Sequence, residues 1–298
     1  MKKVLLSVMI GLTSFAYANV NAVVSILPQQ TFLKKIGGEK VNIALMVKPG
    51  SSPHSYEPKP SQMKSISKAD IYFAIDVEFE HNWLDKFKHQ NKNMIISNMG
   101  KNIVKIDMEE HSHDDHKKHD DHAKENHEKH HDDDHDEESK DPHIWTTPSN
   151  VKIIAHNIFE ELSSIDKANK AYYKKNLELF LKEIEQTDKK IKELLKETSK
   201  HSKFMVFHPA WGYFAHEYGL EQLAIESGGK NPKPKQIAFL IEEAKEENVK
   251  AVFTAPEFST NTANQIAQEV GVPVIKVSPL NPKWSENLIG LAKAISGK

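Results

Sequence analysis

The stretch "KFMVFHPAWGYFAHEYGLEQLAI", residues 203–225, contains the repeating unit from which the fold of this chain is predicted. "KFMVFH" is a short apolar run typical of a buried strand, "WGYFAHEYG" has the pattern of a helix, and "LEQLAI" reads as a second strand. The alternation continues with a helix at 234–248, a strand "VKAVFTA", a helix at 261–270, a strand "VPVIKVS" and a final helix near 286–296. We therefore predict that residues 201–298 form one lobe with four mainly parallel strands.

The same alternation occurs in the first half of the chain. Strand-like runs separated by helical patterns are "NAVVSIL", "VNIALMV", "IYFAI" and "NMIISNM", which predicts a first lobe at residues 19–148. Residues 149–200 are helical in pattern, and a helix at 166–200 would span roughly 50 Å. The predicted fold class is α/β, with two (β/α) lobes of four strands each, joined by one long helix that crosses between them.

Composition excludes several classes of function. The 42 acidic and 40 basic residues give a formal net charge of −2, and no basic stripe with interleaved aromatic residues is present. Nucleic acid is therefore not an expected partner. The chain has no cysteine, which excludes disulfides and thiolate zinc sites and leaves imidazole and carboxylate as metal ligands.

The N-terminus has the pattern of a cleavable signal peptide at residues 1–18. Two lysines precede an apolar run at 4–15, and "AYA" at 16–18 has the small-x-small form of a cleavage site. The apolar run is too short to span a membrane. We expect a mature chain that begins near Asn19 and lies free in the periplasm of a Gram-negative cell, because no cysteine follows for a lipid anchor.

Residues 109–140 interrupt the alternation with a run of histidine, acid and lysine. The run holds nine of the chain's 17 histidines and no apolar residue larger than Ala123, so we predict a disordered loop. Weak auxiliary metal sites are predicted at His111, His113, His116, His119, His122, His127, His130, His131 and His135. A solvated linker with no metal role is the alternative interpretation. If the loop binds metal, the sequence does not distinguish concentration, transfer or sensing of the ion.

Three histidines outside this run stand at positions where an open α/β sheet binds ligands, beyond the carboxyl ends of strands. His54 lies in the loop after the second strand, His208 ends the strand "KFMVFH", and His143 precedes the helix that begins near residue 149. They come from both halves of the chain, so a shared site would lie between the lobes. Neutral imidazoles suit zinc. Each histidine taken singly also fits a solvated surface residue.

Three motifs together resemble those of a known family. "GSSPHSYEPKPSQ", "DPHIWTTPSNV" and "FHPAWGYFAHEYGL" are similar to the histidine motifs of the ZnuA-type periplasmic solute-binding proteins of zinc ABC transporters, and "SGGKNPKPKQIAFLIEEAKEENVKAVFTAPEFS" resembles a further stretch of that family. The resemblance covers essentially the whole mature chain. It implies two lobes joined by a rigid helix and one Zn²⁺ held in the cleft by His54, His143 and His208. It also implies a monomeric receptor, not an enzyme, that delivers the ion to an inner-membrane ABC permease.

One departure from the family pattern concerns the fourth ligand. Many relatives supply a carboxylate from the loop after the last strand, where this chain has Ser278 in "KVSPLNP". We expect water in the fourth position, with Glu257 in "APEFST" as the less favoured candidate. Asp141 is expected to accept a hydrogen bond from the ring nitrogen of His143 that does not bind metal.

Alternatives of other classes stay open at this point. Three histidines and a water also form the site of catalytic zinc hydrolases, although the sequence carries no H-E-x-x-H, G-x-S-x-G or paired-carboxylate signature. Manganese, nickel or copper are alternative cargoes, because imidazole binds several divalent metals. A periplasmic metal buffer or an adhesin with the same fold is a further alternative.

Overall fold

The computed structural model of the chain describes residues 19–108, 140–226 and 229–298. The predicted signal peptide at 1–18 and all nine auxiliary histidines, within 109–139, lie outside the described residues.

The first lobe is a four-stranded sheet with its helices. Its elements are β1 (Val20–Val24), α1 (Leu27–Gly37), β2 (Val41–Leu45), α2 (Pro60–Ile66), β3 (Ile71–Ala74), α3 (Glu78–Gln90) and β4 (Ile95–Asn98). The strands pair in parallel in the order β2-β1-β3-β4. The central strands β1 and β3 are almost wholly buried, as expected for apolar runs in a parallel sheet covered on both faces.

The second lobe repeats this arrangement. Its elements are β5 (Lys203–Val206), α6 (Gly212–Tyr218), β6 (Glu221–Ala224), α7 (Pro234–Glu246), β7 (Val252–Thr254), α8 (Asn261–Val270), β8 (Val274–Lys276) and α9 (Trp284–Ile295). The order β6-β5-β7-β8 is again parallel throughout. Two four-stranded sheets, whose strands alternate with helices along the chain, confirm the predicted α/β fold class, and every named strand pair is parallel. Because the strands are parallel, their carboxyl ends meet at one edge of each sheet.

Local sequence signals fix several of the helix ends. Proline stands in the first turn of α1, α2 and α7, where its missing N–H costs no hydrogen bond. Gly219 ends α6 and Gly271 ends α8, at φ of 67° and 82°. This left-handed conformation favours glycine, because it lacks a Cβ.

The helix predicted at 166–200 is shorter than expected. Two helices, α4 (Pro148–Ile165) and α5 (Lys170–Leu195), are separated by a 3₁₀ turn at Lys167–Asn169. The 26 residues of α5 span about 39 Å, not 50 Å. The late start of the helix is explained by Asp166, whose side chain accepts hydrogen bonds from the Asn169 amide and the Tyr173 hydroxyl and so holds a tight turn. At the other end, the buried apolar face stops at Leu195.

Helix α5 connects the two lobes by packing. It contacts α4, α1 of the first lobe and α9 of the second. Its buried side chains recur three or four residues apart and form one apolar face. Phe32 of α1 lies 5.7 Å from the ring centroids of both Phe180 of α5 and Trp284 of α9. The predicted role of a helix that crosses between the lobes is confirmed.

Hydrogen bonds add a second connection between the lobes. The Trp145 indole donates to the carbonyl oxygen of Pro279, and the Trp284 indole donates to the carbonyl oxygen of Trp145, each at 2.8 Å. Thr31 of α1 donates to the carbonyl of Pro282 at 3.0 Å. The loop before α9 is thus held against the first lobe. Within the described ranges, no helix combines the length and hydropathy needed to cross a bilayer.

Candidate metal centre

The three histidines singled out in the sequence lie together between the lobes. One nitrogen from each of His54, His143 and His208 lies within 4.8 Å of the other two. The Nε2 atom of His208 is 3.4 Å from Nε2 of His54 and 3.3 Å from Nε2 of His143. The His208 ring stands edge-on to both other rings, with centroids 5.1 Å apart in each pair.

The sheet edges explain this convergence. His54 lies in the loop after β2 and His208 lies two residues beyond the end of β5, so each follows the carboxyl end of a strand. His143 directly precedes the 3₁₀ turn Ile144–Thr146, and its N–H donates to Oδ1 of Asp141 at 2.8 Å. His143 is buried, and the His54 side chain is 31% exposed against 10% for His208, so the group is reached from the His54 side.

Each imidazole has a carboxylate behind it. Nδ1 of His54 lies 2.6 Å from Glu78 and Nδ1 of His143 lies 2.8 Å from Asp141. Nδ1 of His208 contacts Glu226. The Asp141 contact is the one that the sequence predicted.

Glu78 and Glu226 were not predicted from the sequence. A usable signal was present, because Glu78 follows the end of β3 and Glu226 follows the end of β6, as His54 and His208 follow β2 and β5. Acids at the carboxyl ends of neighbouring parallel strands belong to the same edge of the sheet and were candidates for this role.

These carboxylates determine which nitrogen of each ring carries the proton. An ionised carboxylate only accepts hydrogen bonds, so a neutral imidazole beside it places its hydrogen on Nδ1. The Nε2 atoms of His54, His143 and His208 are then bare lone-pair donors that face one another. Three such nitrogens form no hydrogen bond among themselves. A cation between them satisfies all three at once.

The spacing fits zinc. Zinc–nitrogen bonds of 2.0–2.1 Å in a tetrahedron place ligand nitrogens about 3.3–3.4 Å apart. The two Nε2 separations of 3.4 and 3.3 Å match this value. The donor set therefore fits a four-coordinate ion with three imidazole ligands and one position left for another ligand.

Burial lowers the pKa of His54 and His208, whereas the hydrogen bonds to their carboxylates raise it. Burial lowers the pKa of His208 to about 4, against the opposing effect of the Glu226 carboxylate. The Glu78 hydrogen bond raises the pKa of His54 above its usual value, and the same contact lowers the pKa of Glu78. His208 is thus neutral, and ready to bind metal, at any physiological pH, whereas His54 is the ring at which protons compete more strongly.

The histidines line a small cavity with mainly apolar walls. Its free volume is about 20 Å³, which suits one ion or one water. Trp145, Phe258 and Leu280 contribute to the walls, and the Phe258 ring stacks on His208 at a centroid distance of 4.6 Å. Apolar walls strengthen the electrostatic interactions of an ion inside.

The two residues considered for the fourth position lie beside this cavity. Glu257 lines it, but its carboxylate is not in the group of atoms within 4.8 Å of one another. The Ser278 hydroxyl lies 3.0 Å from both carboxylate oxygens of Glu257 and donates to this carboxylate. Burial raises the pKa of Glu257.

Comparison with known proteins identifies the family. The model for ZnuA, the periplasmic component A of the zinc-uptake complex, matches residues 22–294. The chain belongs to this family. The family provides a binding component of an uptake complex, which supports a receptor and gives no support to the zinc hydrolase considered above.

Individual relatives agree with this assignment. The chain is 31% identical over 255 residues to the high-affinity zinc uptake system protein ZnuA of Bacillus subtilis (strain 168), covering 84% of this chain and 75% of that protein. It is 28% identical over 270 residues to the zinc-binding protein AdcA of Streptococcus pyogenes serotype M3 (strain ATCC BAA-595 / MGAS315), covering 89% of this chain and 51% of AdcA. The chain thus spans about half the length of AdcA. A crystal structure of ZnuA matches with a TM-score of 0.80 and 36% identity, over 94% of this chain and 98% of that one.

Proposed function

We propose that this chain is a high-affinity zinc receptor that captures Zn²⁺ between its lobes and delivers it to an inner-membrane ABC permease for import. The ligands are His54, His143 and His208. The single observation that carries this proposal is the set of three Nε2 atoms, 3.3 and 3.4 Å apart along the two measured pairs, each on a ring whose Nδ1 faces a carboxylate.

Water completes the coordination in this proposal. Three imidazoles leave one position of a tetrahedral zinc ion for a small ligand such as water. A serine hydroxyl is a poor zinc ligand at neutral pH, and Ser278 already donates to Glu257. Glu257 itself lies outside the group of converging nitrogen atoms.

Zinc is favoured over the other cargoes by the donor set. Manganese prefers several oxygen ligands, whereas three imidazoles and one water provide only a single oxygen. Copper(II) and nickel(II) prefer square-planar or tetragonal sites, whereas the 3.3–3.4 Å spacing fits a tetrahedron. The zinc in the names of the related proteins supports the same choice.

The remaining parts of the proposal concern the setting of the site. The chain is exported to the periplasm with cleavage of residues 1–18, and it acts as a monomer with lobes at 19–148 and 201–298. The nine histidines within 109–139 bind further zinc weakly, and Asp141 orients His143. The family's placement in the periplasm supports the export. The 2.8 Å contact between Asp141 and Nδ1 of His143 supports the orienting role of Asp141.

Zinc titration of purified variants that begin at Asn19 tests the ligand set. His143→Ala removes one of three strong donors and is expected to weaken tight binding at least tenfold. His156→Ala is the matched control, because His156 is an exposed histidine of the neighbouring helix α4. It should bind as the unaltered chain does.

Deletion of residues 112–139 separates the two classes of histidine. We expect the deletion to lower the total number of zinc ions bound and to leave one tight site. Loss of tight binding on deletion, with retention in His143→Ala, would overturn the assignment. A growth defect in zinc-depleted medium on loss of the gene, restored by zinc alone, distinguishes transport from a buffer or an adhesin.

A further inference from the structure

Glu257 is the carboxylate of the cavity that is not committed to a histidine. It follows β7, and Ser278 follows the neighbouring strand β8, so both belong to one edge of the second sheet. The other glutamate that lines the cavity, Glu78, is already bonded to Nδ1 of His54. Within the part of the chain that the structure describes, Glu257 has no ion-pair partner.

The Ser278 hydroxyl is oriented toward this carboxylate. Its Oγ accepts a hydrogen bond from the N–H of Leu280 at 3.0 Å, and it lies 3.0 Å from both Glu257 oxygens. A lone pair of Oγ is thus directed at the backbone N–H of Leu280, and the hydroxyl hydrogen is directed at the Glu257 carboxylate. Pro279, between Ser278 and Leu280, accepts the Trp145 hydrogen bond that connects the lobes. The hydrogen bonds of Leu280 and Pro279 therefore fix the position of the Ser278 hydroxyl.

The backbone beside Glu257 is fixed as well. Phe258 stacks on the His208 ring with an interplanar angle of 26°, which holds this part of the loop against the histidine group. With the backbone held, rotation of the side chain is the movement that remains for the Glu257 carboxylate. The Ser278 hydrogen bond opposes that rotation.

We propose that Ser278 determines metal specificity by holding Glu257 away from the bound ion. With the hydroxyl present, the ion has three imidazole nitrogens and a water. Without it, Glu257 rotates and becomes the fourth ligand, and the site gains a charged oxygen donor that suits a harder cation such as Mn²⁺. This inference rests on the proposed function, because it takes the three histidines as ligands.

Absorption spectra of the cobalt(II)-loaded protein test it, because the ligand-field bands of Co²⁺ change when a ligand is exchanged. Four forms are compared: the unaltered chain, Ser278→Ala, Glu257→Gln and the double variant. We expect Glu257→Gln alone to leave the spectrum unchanged, Ser278→Ala to shift it, and the double variant to restore it. Manganese affinity should rise in Ser278→Ala and return to the original value in the double variant.

Two results overturn the proposal. A shift in Glu257→Gln alone means that Glu257 is already a ligand, and an unchanged spectrum in Ser278→Ala means that the hydroxyl does not restrain it. Ser278→Gly removes the same hydroxyl and takes the place of Ser278→Ala if that variant does not fold. Failure of the proposed function gives a different result. In that case the unaltered chain binds neither Co²⁺ nor Zn²⁺ tightly, or His208→Ala has the same affinity for these ions as the unaltered chain.

Discussion

Replacement of Glu226 by glutamine tests how the protein prepares His208 for metal. Glu226 is buried and accepts a hydrogen bond from Nδ1–H of His208, so the substitution removes a charge and keeps the size. Loss of such a partner behind a metal-binding histidine typically weakens metal affinity by roughly 10- to 100-fold. This range corresponds to about 1.4–2.8 kcal/mol of binding free energy. The burial of the pair favours the upper part of the range, because solvent does not replace the lost contact.

The pH dependence separates this effect from proton competition. The Glu226 carboxylate raises the pKa of His208 in opposition to burial, so Glu226→Gln lowers that pKa further below about 4. His208 is then neutral at both pH 6 and pH 8, and the substitution should weaken zinc binding by the same factor at each. A loss that appears only at the lower pH would contradict the reasoning.

The control is a histidine–glutamate pair of the same chemistry away from the site. Glu221 lies 2.8 Å from Nδ1 of His201, and both side chains are exposed. Zinc competition against a chromophoric chelator should give unaltered affinity for Glu221→Gln and weakened affinity for Glu226→Gln. Equal affinities of the two variants would refute the role assigned to Glu226.

Three other outcomes are expected. Burial raises the pKa of Glu80 from 4.5 to about 7, so folding takes up a proton between these pH values. The free energy of unfolding should therefore fall by up to about 3 kcal/mol as the pH rises from 4.5 to 7. Denaturant unfolding at pH 5 and pH 7.5 should show that the stability of Glu80→Gln depends less on pH than that of the unaltered chain. Zinc affinity of the unaltered chain should fall as the pH drops, and the fall should begin above the usual histidine pKa of about 6.5, because Glu78 raises the pKa of His54 and protons compete with zinc there. Calorimetric titration showing constant affinity down to about pH 5 would contradict three-histidine binding. Trp145→Phe removes the hydrogen bond to Pro279 and should lower the free energy of unfolding by roughly 0.5–1.5 kcal/mol, and an unchanged stability would show that this contact does not connect the lobes.

The fold was predictable where the signal is local. Short apolar runs alternate with helical patterns along the chain, and this spacing predicted both parallel sheets because parallel strands require crossover helices. The long helix was predicted too long at both ends. Its buried apolar face stops at Leu195, and the Asp166 side chain holds a tight turn before its first residue. A side chain that competes for hydrogen bonds is difficult to distinguish from an exposed polar residue in the sequence.

The site was predictable in part for the same reason. His54 and His208 follow strand ends, and Asp141 stands two residues before His143, so local position made them candidates. The resemblance to the ZnuA-type family then selected the three histidines as ligands. Glu78 and Glu226 lie 24 and 18 residues from the histidines they contact, and in a chain with 42 acidic residues their type alone does not single them out. Such contacts depend on how strands are ordered in the sheet, which the alternation of elements does not specify.

Anomalous X-ray diffraction from crystals of the zinc-loaded protein, at energies above and below the zinc absorption edge, tests the central claim most directly. We expect one strong zinc peak in the cavity, about 2.0–2.1 Å from Nε2 of each of His54, His143 and His208, with a single further ligand. A peak bonded to fewer than these three nitrogens, or strong peaks at other places with this cavity empty, would contradict it.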